Sequence, residues 1–419
     1  MIIRKLRANE RYKSDMVSAV AFEWGMDYLK AKAEAEAMTP EEIAEKDKAP
    51  EVDEDSFLSD RFRESVWAAL DDDDSTVFGA VTISNYTVNF DGHTTLMGGV
   101  GGVSTLPHCR RQGAIRECMR AALADMNENG FDFSFLYPFS RAYYRQFGYE
   151  NGAMTRVYTL DFKSLKKYGS RGSIDMLLPG DDLSVLTELY NKYYSQFNLN
   201  CARHSYEKSY EDGSFLQKQQ YIYVWRNDAG EARGFMSFRK DDGVMDCTYS
   251  FSFRGGFVFL DADALCGMLD FAQKLAPHYH AIKFALPDNR SIDAIISEGN
   301  DIECSLEYNG MARVVNVERV LKQCRCRGQG SLNISVSDKM CPWNNGVWRI
   351  SYAPGRENEV ALTDEAADIE LDINMFTSLI LGVTSADDIP YMPMAKLNNQ
   401  DAHLGDVFYK KLCLCSNLF

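Results

Sequence analysis

Long apolar runs are missing from this chain of 419 residues. No stretch approaches the roughly 18 uninterrupted apolar residues of a spanning helix, so no transmembrane segment is expected. The opening MIIRKLRANERYKSD has no apolar run of the kind a signal peptide carries, and none is expected there. Positive charge is also in short supply. The 45 Lys and Arg stand against 61 Asp and Glu, a formal net charge of −16. A nucleic-acid binder needs a basic stripe to meet phosphates, and an anionic membrane surface would repel such a chain. A surplus of this sign keeps a protein soluble and favours cationic partners such as amines. The 11 cysteines are odd in number, scattered, and not in Cys-x-x-Cys pairs, so they read as reduced thiols of a cytoplasmic protein.

What is present suffices for real cores: 45% hydrophobic and 12% aromatic residues. At about 150 residues per domain, the length predicts two to three domains. Residues 1 to 30 read as a short strand at Ile2 and Ile3 and an amphipathic helix ending near Leu29. KAKAEAEAMTPEEIAEKDKAPEVDEDS reads as a solvated helical insertion and a polar loop. Strands at Ser65 to Leu70 and Val77 to Val88, with turns at Asp71 to Asp74 and at Asp91-Gly92, predict an antiparallel meander. The four aspartates suit a hairpin tip better than a metal site, because nothing nearby supplies a coordination geometry. From Arg156 to about Asn300 a second mixed segment repeats the order of elements. Its helix DADALCGMLDFAQKLA is apolar on one side, but the segment lacks a glycine-bearing turn. A third, α+β unit follows from residue 312, with alternating strands and the helix INMFTSLILG, which suits either core packing or a lipid groove.

The most informative stretch is VGGVSTLPHCRRQGAIRECMRAALADM. VGGVSTL reads as a strand, and Pro107 ends it because proline cannot donate a ladder hydrogen bond. Arg110-Arg111-Gln112-Gly113-Ala114 follows, then a helix with Ile115, Met119, Leu123 and Met126 on one face. A strand, a tight glycine turn and a helix N-terminus make an anion cradle. The first N–H groups of the helix lack internal partners, and its dipole favours negative charge there. Gly113 permits close approach of a phosphate, and the two arginines add positive charge. The Gly-Lys-Ser/Thr loop of ATPases is absent, and the spacing differs from the Gly-x-Gly-x-x-Gly dinucleotide fingerprint.

This Arg-x-x-Gly turn resembles that of the GNAT acetyltransferases, where it holds the pyrophosphate of acetyl-coenzyme A. FDFSFLYPFSRAYYRQFGYE, with its Tyr-x-x-Phe-Gly-Tyr, is similar to the strand, helix and strand that follow in that family. With the three-part layout and the ending at Phe419, the chain resembles the enhanced intracellular survival protein family of N-acetyltransferases. Where the wider family turn closes on Gly or Ala, this chain has Ile115. The resemblance implies an α+β chain of two tandem GNAT-like α/β domains with mixed, mostly antiparallel sheets, followed by a sterol-carrier-protein-like α+β domain. The expected spans are 1–155 for the catalytic domain, 156–311 for a degenerate second domain and 312–419 for the third.

The resemblance also assigns roles. Val103, Ser104 and Thr105 would pair with the pantetheine arm of the donor, with the Val103 N–H facing the thioester oxygen. Arg110, Arg111, Gly113 and Ala114 would hold the pyrophosphate. Tyr144 matches the family's general acid, and the C-terminal carboxylate of Phe419 its base. The implied reaction is direct transfer from acetyl-CoA to an amine of an aminoglycoside, polyamine or lysine, by a hexamer without metal. Glu23, Trp24 and Asp27 on the first helix are candidates for the acceptor site, Trp24 by stacking against an amine. Glu23 and Asp27 are also simply the solvated face of their helix.

Rival readings stay open beside this one. Tyr143, Tyr144 and Tyr149 fit an aromatic core, and Cys109 and Cys118, which bracket the cradle, would carry a thiol mechanism if partnered by a histidine such as His108, beside Cys109 in sequence. The pairs Cys324-Cys326 and Cys413-Cys415 would make a zinc site if they met. A different class of function is a non-catalytic lipid carrier or sensor with a vestigial transferase fold.

Overall fold

The computed structural model of the protein describes residues 1–48, 61–201, 214–248, 256–296 and 302–415. These build three sheets of seven, eight and five strands. The first opens with β1 (Ile2–Lys5), β2 (Arg61–Leu70), β3 (Val77–Phe90) and β4 (His93–Thr105), each antiparallel to the one before. The aspartate run is the tip of the β2–β3 hairpin. The Asp71 carboxylate accepts the N–H of Ser75 at 2.8 Å and of Thr76 at 3.1 Å, which holds its carboxyl down at about 2. Asp74 pairs with Arg4 at 2.8 Å.

The first helix is shorter than the sequence suggests. The α1 helix (Arg11–Phe22) stops because Glu23 turns left-handed, at φ 60°, and α2 (Tyr28–Glu36) starts afresh with Asp27 as its cap, accepting Lys30 N–H at 3.1 Å. Glu23, Trp24 and Asp27 therefore lie on a connection, not on one helical face. The α3 helix (Pro40–Asp47) completes the polar insertion, closed by a capping box between Thr39 and Glu42.

After β4, the α4 helix (Ala114–Glu128) buries Ile115, Cys118, Met119, Leu123 and Met126 against the sheet, the face expected from their spacing. The chain returns through β5 (Phe131–Leu136), parallel to β4, then α5 (Arg141–Arg145) and β6 (Glu150–Asn151). Between β5 and β6 sits a strand from far along the chain, Met311–Val314, antiparallel to both.

The second sheet centres on Met154–Asp161 and Ala281–Pro287 and carries the helix Ala262–Lys274. In the third, Gly330–Ser337 is flanked by antiparallel Gly346–Tyr352 and parallel Ile369–Asp372. Its helix Ile373–Ile380 is buried along its length, in one core with Phe90 and Phe133 of the first sheet. The apolar stripe of INMFTSLILG thus packs as core rather than opening as a groove.

Arg313, from the inserted strand, is the largest fully buried side chain. Its guanidinium donates to the carbonyl of Phe147 and, at 2.5 Å, to Asp338 Oδ2 in the third domain. The side chains of Arg313 and Asp338 are 0% and 1% exposed. Gly148 sits on this contact at φ 86°, and a Cβ there would lie 1.9 Å from Arg313 Nη1. The glycine of Phe-Gly-Tyr is thus required by close approach as well as by its left-handed backbone. Removing one member of a buried pair strands a charge, which costs about 3–5 kcal/mol. Asp338→Ala is expected to lower the unfolding free energy in urea by that amount, whereas surface Asp74→Ala, which breaks an exposed pair, is expected to cost at most about 1 kcal/mol.

Candidate active site

The site begins where β4 and β5 part. Their pairing runs from Leu96 opposite Phe131 to Val100 opposite Leu136 and then ends. On that side Gly101 to Thr105 have no partner strand among the described residues. On the other side β3 pairs Thr82 with Gly101 and Ala80 with Ser104, so β4 carries an extra residue there and bulges at Gly102-Val103. Gly102 allows this at φ 55°, under a tight approach to Thr82 Oγ1. The open edge offers backbone N–H and C=O groups to an extended ligand, as an edge strand does.

At the end of that edge lies the glycine turn. Gly113, at φ 85°, is the cap residue of α4 and supplies no side-chain hydrogen bond. A Cβ on it would meet nothing within 4 Å, so protein atoms do not fill the space in front of the helix N-terminus. Arg111 is left-handed too, at φ 66°. Arg110 and Arg111 are exposed and form no ion pair among the described residues. Two free cations at a helix start that already carries partial positive charge call for an anion.

A cavity of about 640 Å³ joins these features. Val103, Ser104, Thr105, Arg110, Arg111, Gly113 and Ala114 all line it, so the expected donor-binding residues come together in one place. Sequence reasoning missed the rest of the wall: Ala21 and Phe22 from α1, Arg116 from α4, and Phe139, Tyr143, Gln146 and Phe147 around α5. The spacing of Phe139, Tyr143 and Phe147 by four was the available signal, although only Tyr143 lies on α5 itself. Their rings contact in sequence, tilted at a centroid distance of 5.1 Å and then edge-on at 5.3 Å.

Tyr144 stands one layer behind. It is 3% exposed, is not part of the cavity wall, and contacts Tyr143 edge-on at 5.2 Å. Burial pushes its phenol well above the ordinary value, helped by Tyr143 and Tyr149. Tyr143, which does line the cavity, is raised as well, mainly by desolvation. Tyr149 is fully buried and shares a 2.7 Å hydrogen bond with Ser134.

The acceptor candidates are not in the wall. Trp24 is 57% exposed and stacks on Phe22 at 5.1 Å, while Asp27 is engaged in capping α2. Glu23 follows the wall residue Phe22 but does not line the cavity. The described lining holds arginines and no carboxylate, so the expected acidic groove is not found in it. Phe419 lies outside the described residues. The chain is followed to Cys415, whose carbonyl accepts from Asn309 Nδ2 at 3.0 Å and from Tyr137 just beyond β5. The two cysteine pairs do not form one cluster: Cys413 donates to the Gly152 carbonyl at 3.0 Å, while Cys324 and Cys326 face each other. No group of three or more metal-ligating side chains exists among the described residues.

Among the described residues the second sheet shows no comparable cradle. Its helix Ala262–Lys274 is capped by Asp261, whose carboxylate accepts Ala264 N–H at 2.8 Å and pairs with Arg233 at 2.8 Å. A side-chain carboxylate already stands where a phosphate would bind.

Comparison with known proteins agrees with this geometry. Residues 31–152 match the acetyltransferase (GNAT) domain family and residues 317–392 the sterol carrier protein domain family. An uncharacterised N-acetyltransferase of Streptomyces avermitilis is 25% identical over 311 residues, 68% of this chain and 72% of that one. The whole fold is shared with a conserved protein of Enterococcus faecalis at 19% identity and TM-score 0.79, covering 100% of this chain and 99% of that one. It is shared also with Eis1 of Mycobacterium abscessus, at 15% identity and TM-score 0.71, covering 100% of both chains. A splayed strand edge, a glycine-capped helix and a further domain behind them thus agree with the comparisons: the chain carries an acetyltransferase (GNAT) domain and a C-terminal sterol carrier protein domain, in a fold shared along its whole length with these solved structures.

Proposed function

We propose that the cavity binds acetyl-CoA and passes its acetyl group directly to an amine. The observation that carries this reading is the continuity of the cavity from the unpaired edge at Val103–Thr105 to the open cradle at Gly113. The pantetheine arm would lie along that edge as an added strand. The diphosphate would sit on the first N–H groups of α4, flanked by Arg110 and Arg111. Val103 falls in the bulge and has no register partner on β3, so its N–H would serve the thioester oxygen as charge gathers there when the amine attacks. No covalent enzyme intermediate is needed, so acceleration comes chiefly from positioning.

Tyr144 is the proposed acid that protonates the departing thiolate. A phenol kept dry stays protonated across the working pH range, so it holds a proton ready for the thiolate, although the same burial makes that proton harder to release. Tyr143 is the second candidate, because it lines the cavity directly. The carboxylate of Phe419 is the proposed base that frees the amine of its proton. A net charge of −16 draws cationic acceptors such as polyamines, aminoglycosides or lysine side chains from a distance. The described walls themselves are aromatic and cationic, so this preference acts on approach rather than at the seat. Eleven free thiols suit a reducing cytoplasm.

Saturating acetyl-CoA is expected to raise the melting temperature, since a ligand specific to the folded state stabilises it; no shift would favour the carrier reading. Gly113→Ala has room for its methyl but must hold a left-handed backbone, a cost of about 1–2 kcal/mol. Its affinity for CoA in calorimetry is expected to fall by on the order of tenfold.

Tyr144→Phe is expected to lower kcat by about 10²-fold or more while leaving acetyl-CoA affinity unchanged. The same result for Tyr143→Phe, with Tyr144→Phe silent, would move the role by one residue. Residues appended after Phe419 are expected to depress thiol release with spermine or an aminoglycoside far more than donor binding. Unchanged turnover in such a variant would remove the carboxylate from the mechanism.

A further inference from the structure

Cys324 and Cys326 have no part in the site above, yet their sulfurs are 3.8 Å apart. Cys324 is buried and ends the helix Val317–Gln323; Cys326 is partly exposed on the loop that follows. The loop is firmly held. Asn358 Nδ2 donates to the carbonyls of Leu321 at 2.9 Å and Cys324 at 2.6 Å. The N–H of Arg325, between the cysteines, donates to Asp91 Oδ2 at 2.8 Å. The same carboxylate oxygen takes Lys411 Nζ at 2.5 Å, and the Lys411 side chain is only 3% exposed. A buried ammonium group therefore stands beside the dithiol.

The two sulfurs are not equivalent. The hydrogen bond from Cys324 pulls the Cys326 thiol below its ordinary value, against desolvation and with help from Lys411, while Asp91 opposes. The same hydrogen bond together with burial raises Cys324. A partly exposed sulfur that loses its proton readily, next to a buried one that keeps its own, is the arrangement of an attacking and a resolving cysteine.

We propose that Cys324 and Cys326 are a dithiol modification site, closed by hydrogen peroxide into a reversible intramolecular disulfide. The Cys326 thiolate attacks one peroxide oxygen, the O–O bond breaks, and Cys326 becomes a sulfenic acid as water leaves. The Cys324 sulfur then displaces that hydroxyl, giving the S–S bond and a second water. Two thiols and one peroxide become one disulfide and two waters; the sulfurs lose two electrons and the peroxide gains them. Closing the gap to about 2 Å requires only a local move of the Cys326 side chain and loop. The site stands at a junction. Asp91 belongs to the β3–β4 turn of the first sheet, and Lys411 to the segment that runs on to Cys415 beside Tyr137.

The test treats the folded full-length protein with hydrogen peroxide near equimolar ratio, blocks remaining thiols and maps the peptides. A peptide joining Cys324 to Cys326, lighter by two hydrogens and restored by dithiothreitol, is the expected product. Cys326→Ser is expected to abolish it, and Cys324→Ser to leave a sulfenic acid at position 326 that a dimedone probe captures. Neither cysteine lines the cavity, so an intact acetyl-CoA melting shift checks that each variant is folded. Oxidation of the exposed Cys304 with both sulfurs of the pair still alkylated would overturn the proposal.

Discussion

The catalytic region rests on a charge that never meets water. Arg313 reaches from the inserted strand into the first sheet, holds the carbonyl of Phe147, and is neutralised by Asp338 of the third domain. Desolvating a guanidinium and a carboxylate is tolerable only when each satisfies the other, so the pair fixes the distance between two domains to within a hydrogen bond. The Tyr-Arg-Gln-Phe-Gly-Tyr segment is the part so fixed. Its other supports come from the same side: Asn374 Nδ2 donates to the carbonyl of Tyr149 at 2.9 Å and to that of Arg145 at 3.1 Å. The carrier-protein domain is thus a structural partner of the transferase cleft. The aromatic wall of the cavity is held in place from behind by residues more than a hundred positions away.

The local chemistry of the cleft was legible in the sequence because its parts are adjacent there. Proline after a strand, glycine before a helix and arginines between them describe a turn whose backbone has few alternatives. The face of α4 followed from its period, and all seven expected donor-binding residues line one cavity. What the sequence hid is what the chain assembles from a distance. The strand Met311–Val314 enters the first sheet between β5 and β6, a crossing that no local pattern announces. Asp338 lies 25 residues beyond Arg313, across a domain boundary, and an isolated aspartate gives no hint of its partner. The end of α1 was misjudged because helical periodicity continues past Phe22. Only the left-handed turn at Glu23 and the new cap at Asp27 reveal the break.

Tyr143 and Tyr144 show a subtler limit. A short motif identifies a residue type at a spacing, but α5 has only five residues, and neighbours in it point about 100° apart. One of the two must face the cleft and the other the core behind it. In the structure the cleft-facing ring is Tyr143, with the Tyr144 ring set edge-on against it. Burial keeps Tyr144 protonated but makes it a weaker acid than a free phenol, whereas Tyr143 lines the cavity and has the shorter path to a ligand. A proton held in reserve and the reach to deliver it are divided between adjacent residues.

The contrast between the two transferase-like halves reduces to one helix cap. Each has a strand, a turn, an amphipathic helix and a returning strand. In the first, a Cβ on Gly113 would meet nothing within 4 Å, the cap gives no side-chain hydrogen bond, and no carboxylate pairs with Arg110 or Arg111 among the described residues. In the second, Asp261 brings its own carboxylate to the helix start, and Arg233 neutralises it. Both ends satisfy the same dipole, one with a side chain that never leaves and the other with whatever anion arrives. A permanent cap makes for a stable helix and an occupied site. The glycine cap forgoes a side-chain hydrogen bond at a cost of roughly a few tenths of a kcal/mol. What it keeps open is the position where the proposed diphosphate would sit and from which it would leave.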